Sequence, residues 1–157
     1  MLVKGITDED FINFKVPSLF IATSTCTFKC DKEFGSQICQ NSRLANQPNI
    51  DVSMISLLER YRNNPITKAI VFGGLEPLDD GDTIVLIGLL RSMGIMDDVV
   101  IYTGYNKEEI IDKIAVLSQY PNIVIKYGRF IPDQQPHFDP VLGVNLASDN
   151  QYAERIS

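Results

Sequence analysis

Four short apolar runs are spaced along this chain with helix-period segments between them: SLFIAT (residues 18–23), KAIVF (68–72), DVVIY (98–102) and NIVIKY (122–127). Each reads as a strand buried on both faces. Strands that alternate with helices call for a parallel sheet with crossover connections, which narrows the possible folds sharply. In the first gap, Met54, Ile55, Leu58 and Tyr61 recur at helical spacing. Asp51 stands there in an N-cap position, and Pro65 closes the segment. In the second, Asp82 or Thr83 can cap a helix running to about Ser92, ended by Gly94. In the third, Asn106 and Glu109 make a capping box for a helix to about Ser118, with Pro121 beyond it.

Two stretches are less regular. Residues 31–48 are polar, contain Gly35 and show no steady period, so they read as loop. Residues 128–157 hold Pro132, Pro136 and Pro140 and read as an ordered wrap. With four or five strand–helix units the sheet cannot close into an eight-stranded barrel. The expectation is a single α/β domain over residues 1–157, a compact partial (β/α) barrel with a parallel sheet, left as an open half-barrel. The length of 157 residues and the 45% hydrophobic content suffice for one core.

Several function classes are disfavoured. The formal net charge is −6 and there is no Lys/Arg-rich run, a poor match for nucleic acid or an anionic membrane surface. The stretch IVLIGLL is too short to span a bilayer. The opening MLVKGITDED lacks the apolar region of a secretory signal, so a cytoplasmic protein is expected.

All three cysteines fall in one segment, CTFKCDKEFGSQIC: Cys26, three residues, Cys30, eight residues, Cys39. An odd number of cysteines argues against a disulfide framework, and unrelated buried thiols have no reason to cluster in a polar stretch. Structural zinc usually takes four ligands as two close pairs, and the fourth would have to be the lone histidine, His137. A four-iron cluster held by three thiolates instead leaves one iron open to a small molecule. In parallel sheets the ligand site lies at the C-terminal strand ends. The cysteine segment after the first strand, GGLEP after the second and TGY after the third all sit there, which argues for one composite site.

The cysteine segment resembles the cluster loop of the radical S-adenosylmethionine enzymes, in which three cysteines hold a [4Fe-4S] cubane and the cofactor chelates the unique iron. Cys26 and Cys30, with Phe28 between them, keep that family's first gap. The second gap is eight residues where two are usual, and Ile38 replaces the usual aromatic. Asn41 fits the C-x-N ending of one subgroup. IVFGGLEPLDD resembles the family's GGEP turn, with Leu75 in place of its second glycine and Gly73 where a serine is common. DVVIYTGYNKEEI, NIVIKYGRFIPDQQ and GVNLASDNQYAERI resemble segments of the anaerobic ribonucleoside-triphosphate reductase activating proteins, in the same order.

The resemblance implies an activating enzyme that cleaves S-adenosylmethionine reductively and installs a glycyl radical on a large anaerobic ribonucleotide reductase. An electron donor such as flavodoxin or ferredoxin would serve it. Cys26, Cys30 and Cys39 would ligate the cluster. Gly73 and Gly74 allow close backbone approach, and Glu76 suits the cofactor's ammonium group. Thr103 and Gly104 are candidate contacts to methionine or ribose. Tyr127 and Phe130 read as packing residues. Arg129 reads as a cofactor contact or a solvated charge, and Asn150 and Gln151 either fix the C-terminal backbone or face the partner. Two alternatives stand beside this: a radical enzyme acting on a small molecule such as a 7-deazaguanine precursor, which should contain a charged pocket, and a zinc-stabilised binding module.

Overall fold

A computed structural model describes residues 1–157. In chain order it contains β1 (Leu2–Asp10), β2 (Ser18–Thr23), α1 (Lys29–Phe34), α2 (Ser42–Ala45), β3 (Ile50–Asp51), α3 (Met54–Asn63), β4 (Ala69–Gly74) and α4 (Asp82–Ser92). There follow β5 (Asp98–Tyr102), a 3-10 turn (Lys107–Glu109), α5 (Ile111–Leu117), β6 (Ile123–Tyr127), β7 (His137–Asp139), β8 (Val144–Leu146) and β9 (Tyr152–Arg155). The four apolar runs pair side by side as β2–β4–β5–β6, all parallel. Antiparallel strands flank them, giving a seven-stranded open sheet in the order β3-β1-β2-β4-β5-β6-β9, with no closed barrel. No helix is long and apolar enough to cross a membrane.

The period-2 alternation of the strands divides the core into two layers. Ile21, Phe72, Ile101 and Ile125 pack against Leu57 and Leu58 of α3, Leu86, Ile87 and Leu90 of α4, and Leu117 of α5. On the opposite face Val71, Val100 and Val124 meet Phe14, from the segment before β2, and Leu142 and Leu146 from the C-terminal segment. Burial on both faces is why these strands read as unbroken apolar runs.

Several local readings change. Asp51 is not a helix cap. Met1 and Val52 exchange backbone hydrogen bonds of 3.0 and 3.1 Å, so Asp51 pairs with Leu2 in β3 and α3 starts at Met54 with Ser53 at its N-cap. Residues 31–48 carry the last four residues of α1 and all of α2 rather than loop alone; neither helix buries a residue fully, which is why no apolar period marks them. The C-terminal wrap contributes a β7–β8 hairpin and the edge strand β9. Asp139 fastens it, its carboxylate accepting from the N–H groups of Val141, Leu142 and Ala153 at 2.9 Å each. The Asn106–Glu109 capping box is present, but it opens the 3-10 turn, and α5 begins at Ile111.

Arg91 joins the helix layer to the sheet. Its guanidinium, 9% exposed with its residue, donates to the Pro121 carbonyl at 2.7 and 3.0 Å and to the Ile95 carbonyl at 2.6 Å, at the entry to β6. Arg91→Leu strips charge-assisted donors from both carbonyls and should destabilise the fold by about 2–4 kcal/mol. Urea unfolding should show a lower midpoint with an unchanged slope.

Candidate functional site

The parallel register fixes where the site forms. The chain leaves β2 toward Cys26, β4 at Gly73-Gly74 and β5 at Thr103-Gly104, all at the same end of the sheet. A cavity of about 610 Å3 opens there, within the usual range for small-molecule sites. Cys26, Cys30 and Cys39 line it, and so do Gly73, Gly74, Glu76, Thr103 and Gly104.

The eight residues between Cys30 and Cys39 are taken up by α1 and a turn. Gly35, at φ +77°, ends the helix in the left-handed region. Asp31 closes the excursion: its Oδ1 accepts from the Ile38 N–H at 2.9 Å and from the Cys39 N–H at 2.8 Å. Beyond Cys39, the Asn41 side-chain amide donates to the Gly74 carbonyl. A Cβ added at Gly74 would lie 2.9 Å from the Ala22 Cβ and 3.0 Å from the Leu44 side chain. The left-handed φ of +81° at Gly74 and this close docking both require glycine.

The other end of the segment is tied down by the turn after β4. Asp79 accepts from the Thr27 N–H at 2.9 Å and from the Tyr105 hydroxyl at 2.6 Å, and Asp80 accepts from the Thr25 hydroxyl at 2.6 Å. A charge cluster adds a second tie. Arg129 pairs with Glu109 at 2.6 Å and Glu33 at 3.1 Å, and Lys29 pairs with Glu109. The Arg129 guanidinium, helped by Lys29 and the Asn106 N–H, holds the Glu109 carboxyl down at about 2. Lys29, Lys113 and Arg129 all stand 5.7–5.9 Å from the Tyr105 ring centre. Arg129 is thus a buried, doubly paired charge rather than a solvated one.

Glu76 is 6% exposed and joins two strand ends. Its Oε1 accepts from the Thr103 hydroxyl at 2.7 Å and the Leu78 N–H at 3.2 Å, and its Oε2 from the Gly104 N–H at 2.8 Å. Burial outweighs these bonds and raises its pKa to about 7. Burial also pushes the Cys26 thiol up to about 11, and burial with the neighbouring Cys39 and Asp31 pushes Cys30 to about 12. Without a metal both are neutral thiols, so loading one would release protons. No three His, Cys, Asp or Glu side chains gather tightly enough to grip a single ion. His137 pairs with Leu146 in the β7–β8 hairpin and is not among the cavity's lining residues.

Tyr127 is fully buried core, while Phe130 is partly exposed and lines the cavity. Gln151 fixes backbone, accepting from the Ala147 and Ser148 N–H groups and donating to the Gly128 carbonyl. Asn150 donates to the Arg129 carbonyl at 2.9 Å. Asp31, Asp79 and Lys126 join the site without being singled out by the sequence motifs, and Tyr105 is marked there only as the last residue of the TGY turn. Only Lys126, a lone charge inside an apolar strand, carried a sequence signal of its own. No family model, curated protein or solved structure matches the chain.

Removing the Glu76 carboxylate leaves three donors without their acceptor. Glu76→Ala should destabilise the fold by about 2–5 kcal/mol, and Glu76→Gln, which keeps one acceptor oxygen, should lose less. Thermal unfolding of the two variants beside the parent checks the order.

Proposed function

We propose that this chain is a radical S-adenosylmethionine enzyme of the half-barrel kind, an activating protein that installs a glycyl radical on a large anaerobic ribonucleotide reductase. The observation that carries the reading is the meeting of three thiols and two strand-end turns around one cavity. The donor set fits a [4Fe-4S] cluster: three soft thiolates, with no fourth cysteine to close the last iron. Sulfurs that rim a cavity suit a cluster, which takes one thiolate per iron, better than a single zinc ion. Held there, a reduced cluster would supply the one electron needed to cleave S-adenosylmethionine to methionine and a 5′-deoxyadenosyl radical.

The chain's own residues divide the remaining work. Asp31 and Asn41 return Cys39 to the rim, and Asp79 holds the Cys26 end. Glycine at 73 keeps the wall open, since a Cβ there would meet the Phe20 ring at 3.0 Å. Glu76 sets the Thr103-Gly104 turn against the β4 turn and retains lone-pair capacity toward the cofactor's ammonium group. A second reading, a radical enzyme acting on a small carboxylate-bearing molecule, draws support from the buried Lys126 in the cavity wall.

Anaerobic reconstitution should give a brown protein with about four irons and four sulfides per chain. Cys26→Ala, Cys30→Ala and Cys39→Ala should each abolish stable cluster binding. With a class-matched reductase, flavodoxin or dithionite, and S-adenosylmethionine, a glycyl-radical doublet should appear in the electron paramagnetic resonance spectrum. Full iron content in all three cysteine variants, or a colourless protein holding zinc, would sink the assignment.

A further inference from the structure

At the site end, the sheet face that packs against Phe14 and Leu142 ends in one row of side chains. The registers Ala22↔Gly73 and Tyr102↔Lys126 place these four across β2, β4, β5 and β6, and all four line the cavity. Two are small and make room, and Tyr102 is committed, its hydroxyl donating to the Asn13 carbonyl at 2.6 Å. The only charge in the row is Lys126, 7% exposed.

An ammonium group has three donors. Lys126 uses one, on the Gly128 carbonyl at 2.8 Å, and that oxygen is shared with the Gln151 amide. No carboxylate hydrogen-bonds to it. Glu76 acts on it only at a distance, and both Glu76 oxygens are held by Leu78, Thr103 and Gly104. Burial lowers the Lys126 pKa to about 8, which leaves it mostly charged near neutral pH. A buried cation with a single neutral acceptor is costly unless something else completes it. Arg129, the other cation lining the cavity near β6, is already paired with Glu33 and Glu109. One uncompensated positive charge matches one carboxylate better than a dianionic phosphate.

We propose that Lys126 is the anchor of a carboxylate subsite on the cavity wall, taking a compact carboxylate ligand distinct from the metal-bound end of S-adenosylmethionine. Lys126 stands on β6, three strand spacings, ~14 Å, from β2, the strand that leads to Cys26, and the comparison with a decarboxylated cofactor below separates the two carboxylates. Lys126 lines the cavity and is 7% exposed, which suits a small molecule as the ligand. The inference deepens the second reading above, that of an enzyme acting on a small carboxylate-bearing molecule, and its observations are those of the cavity wall.

The test uses the full chain without added iron or reductant. Propionate is the probe, and propionamide is its neutral control. Propionate at ten times its dissociation constant should raise the parent's melting temperature by about 3–6 °C, and propionamide should not. Lys126→Met should lose the shift, with Lys126→Gln as the second variant if the first does not fold. In lysine-labelled parent protein, one Cε resonance should move saturably with propionate. In a separate measurement on the iron-loaded chain, parent and variant should prefer S-adenosylmethionine over its decarboxylated analogue to the same extent. Equal propionate protection in parent and variant, or none in either, overturns the subsite. So does loss of the cofactor preference in Lys126→Met, which would assign the lysine to the cofactor's own carboxylate. A colourless chain that binds propionate through Lys126 would keep this inference while the cluster assignment failed; an iron-loaded chain indifferent to propionate would do the reverse.

Discussion

The arrangement rests on the parallel alignment of β2, β4, β5 and β6. Parallel neighbours cannot be joined by tight hairpins, so each connection must cross back over the sheet. Here α3, α4 and α5 make the crossings, and all bury their apolar sides against one face. The same alignment sends every strand's exit to one end. Cys26, Gly73-Gly74 and Thr103-Gly104 are brought together by that constraint although up to 78 residues separate them in the chain.

What alignment brings near, polar contacts hold in register. The Glu76 carboxylate bridges the β4 and β5 exits, and Asp79 bridges the β4 exit, the cysteine segment and Tyr105. Asp31 shapes the long gap between Cys30 and Cys39 from within. An insertion of this length costs little closure entropy once its ends are fixed. The cation-rich surroundings of Tyr105 press α1 onto the far side of the cavity, through Lys29 and through the Arg129–Glu33 pair. The site is thus walled by strand ends on one side and by the cysteine segment on the other.

Much of this was legible in the sequence, because burial on both faces writes itself as unbroken apolar runs. The four central strands follow from that, and α4 from its apolar residues and the Gly94 stop, but its N-cap is Gly81, with Asp82 and Thr83 inside the first turn rather than capping it. The edges were not legible. β1 mixes exposed and buried positions without a clean period, β3 is two exposed residues, and β9 is four residues with no alternation of burial. Asp51 is a sound cap by local chemistry, overridden by pairing with a strand 49 residues earlier. At the site, the cysteines and glycines were readable because their chemistry is distinctive. Asp31 and Asp79 were not: an acid in a polar segment looks solvated until its N–H partners are known. Lys126 was visible as a charge among Ile123, Val124 and Ile125, but which face it takes is set by the register with Tyr102.

The central claim is that the three thiols and the two turns form one site that cleaves S-adenosylmethionine. Its most direct test is product formation by the reconstituted chain alone, under anaerobic dithionite, with no partner added. The account predicts methionine and 5′-deoxyadenosine in equal amounts, and neither from Cys39→Ala. An iron-loaded, reduced protein that forms no 5′-deoxyadenosine, or a Cys39→Ala variant that forms as much as the parent, would contradict it.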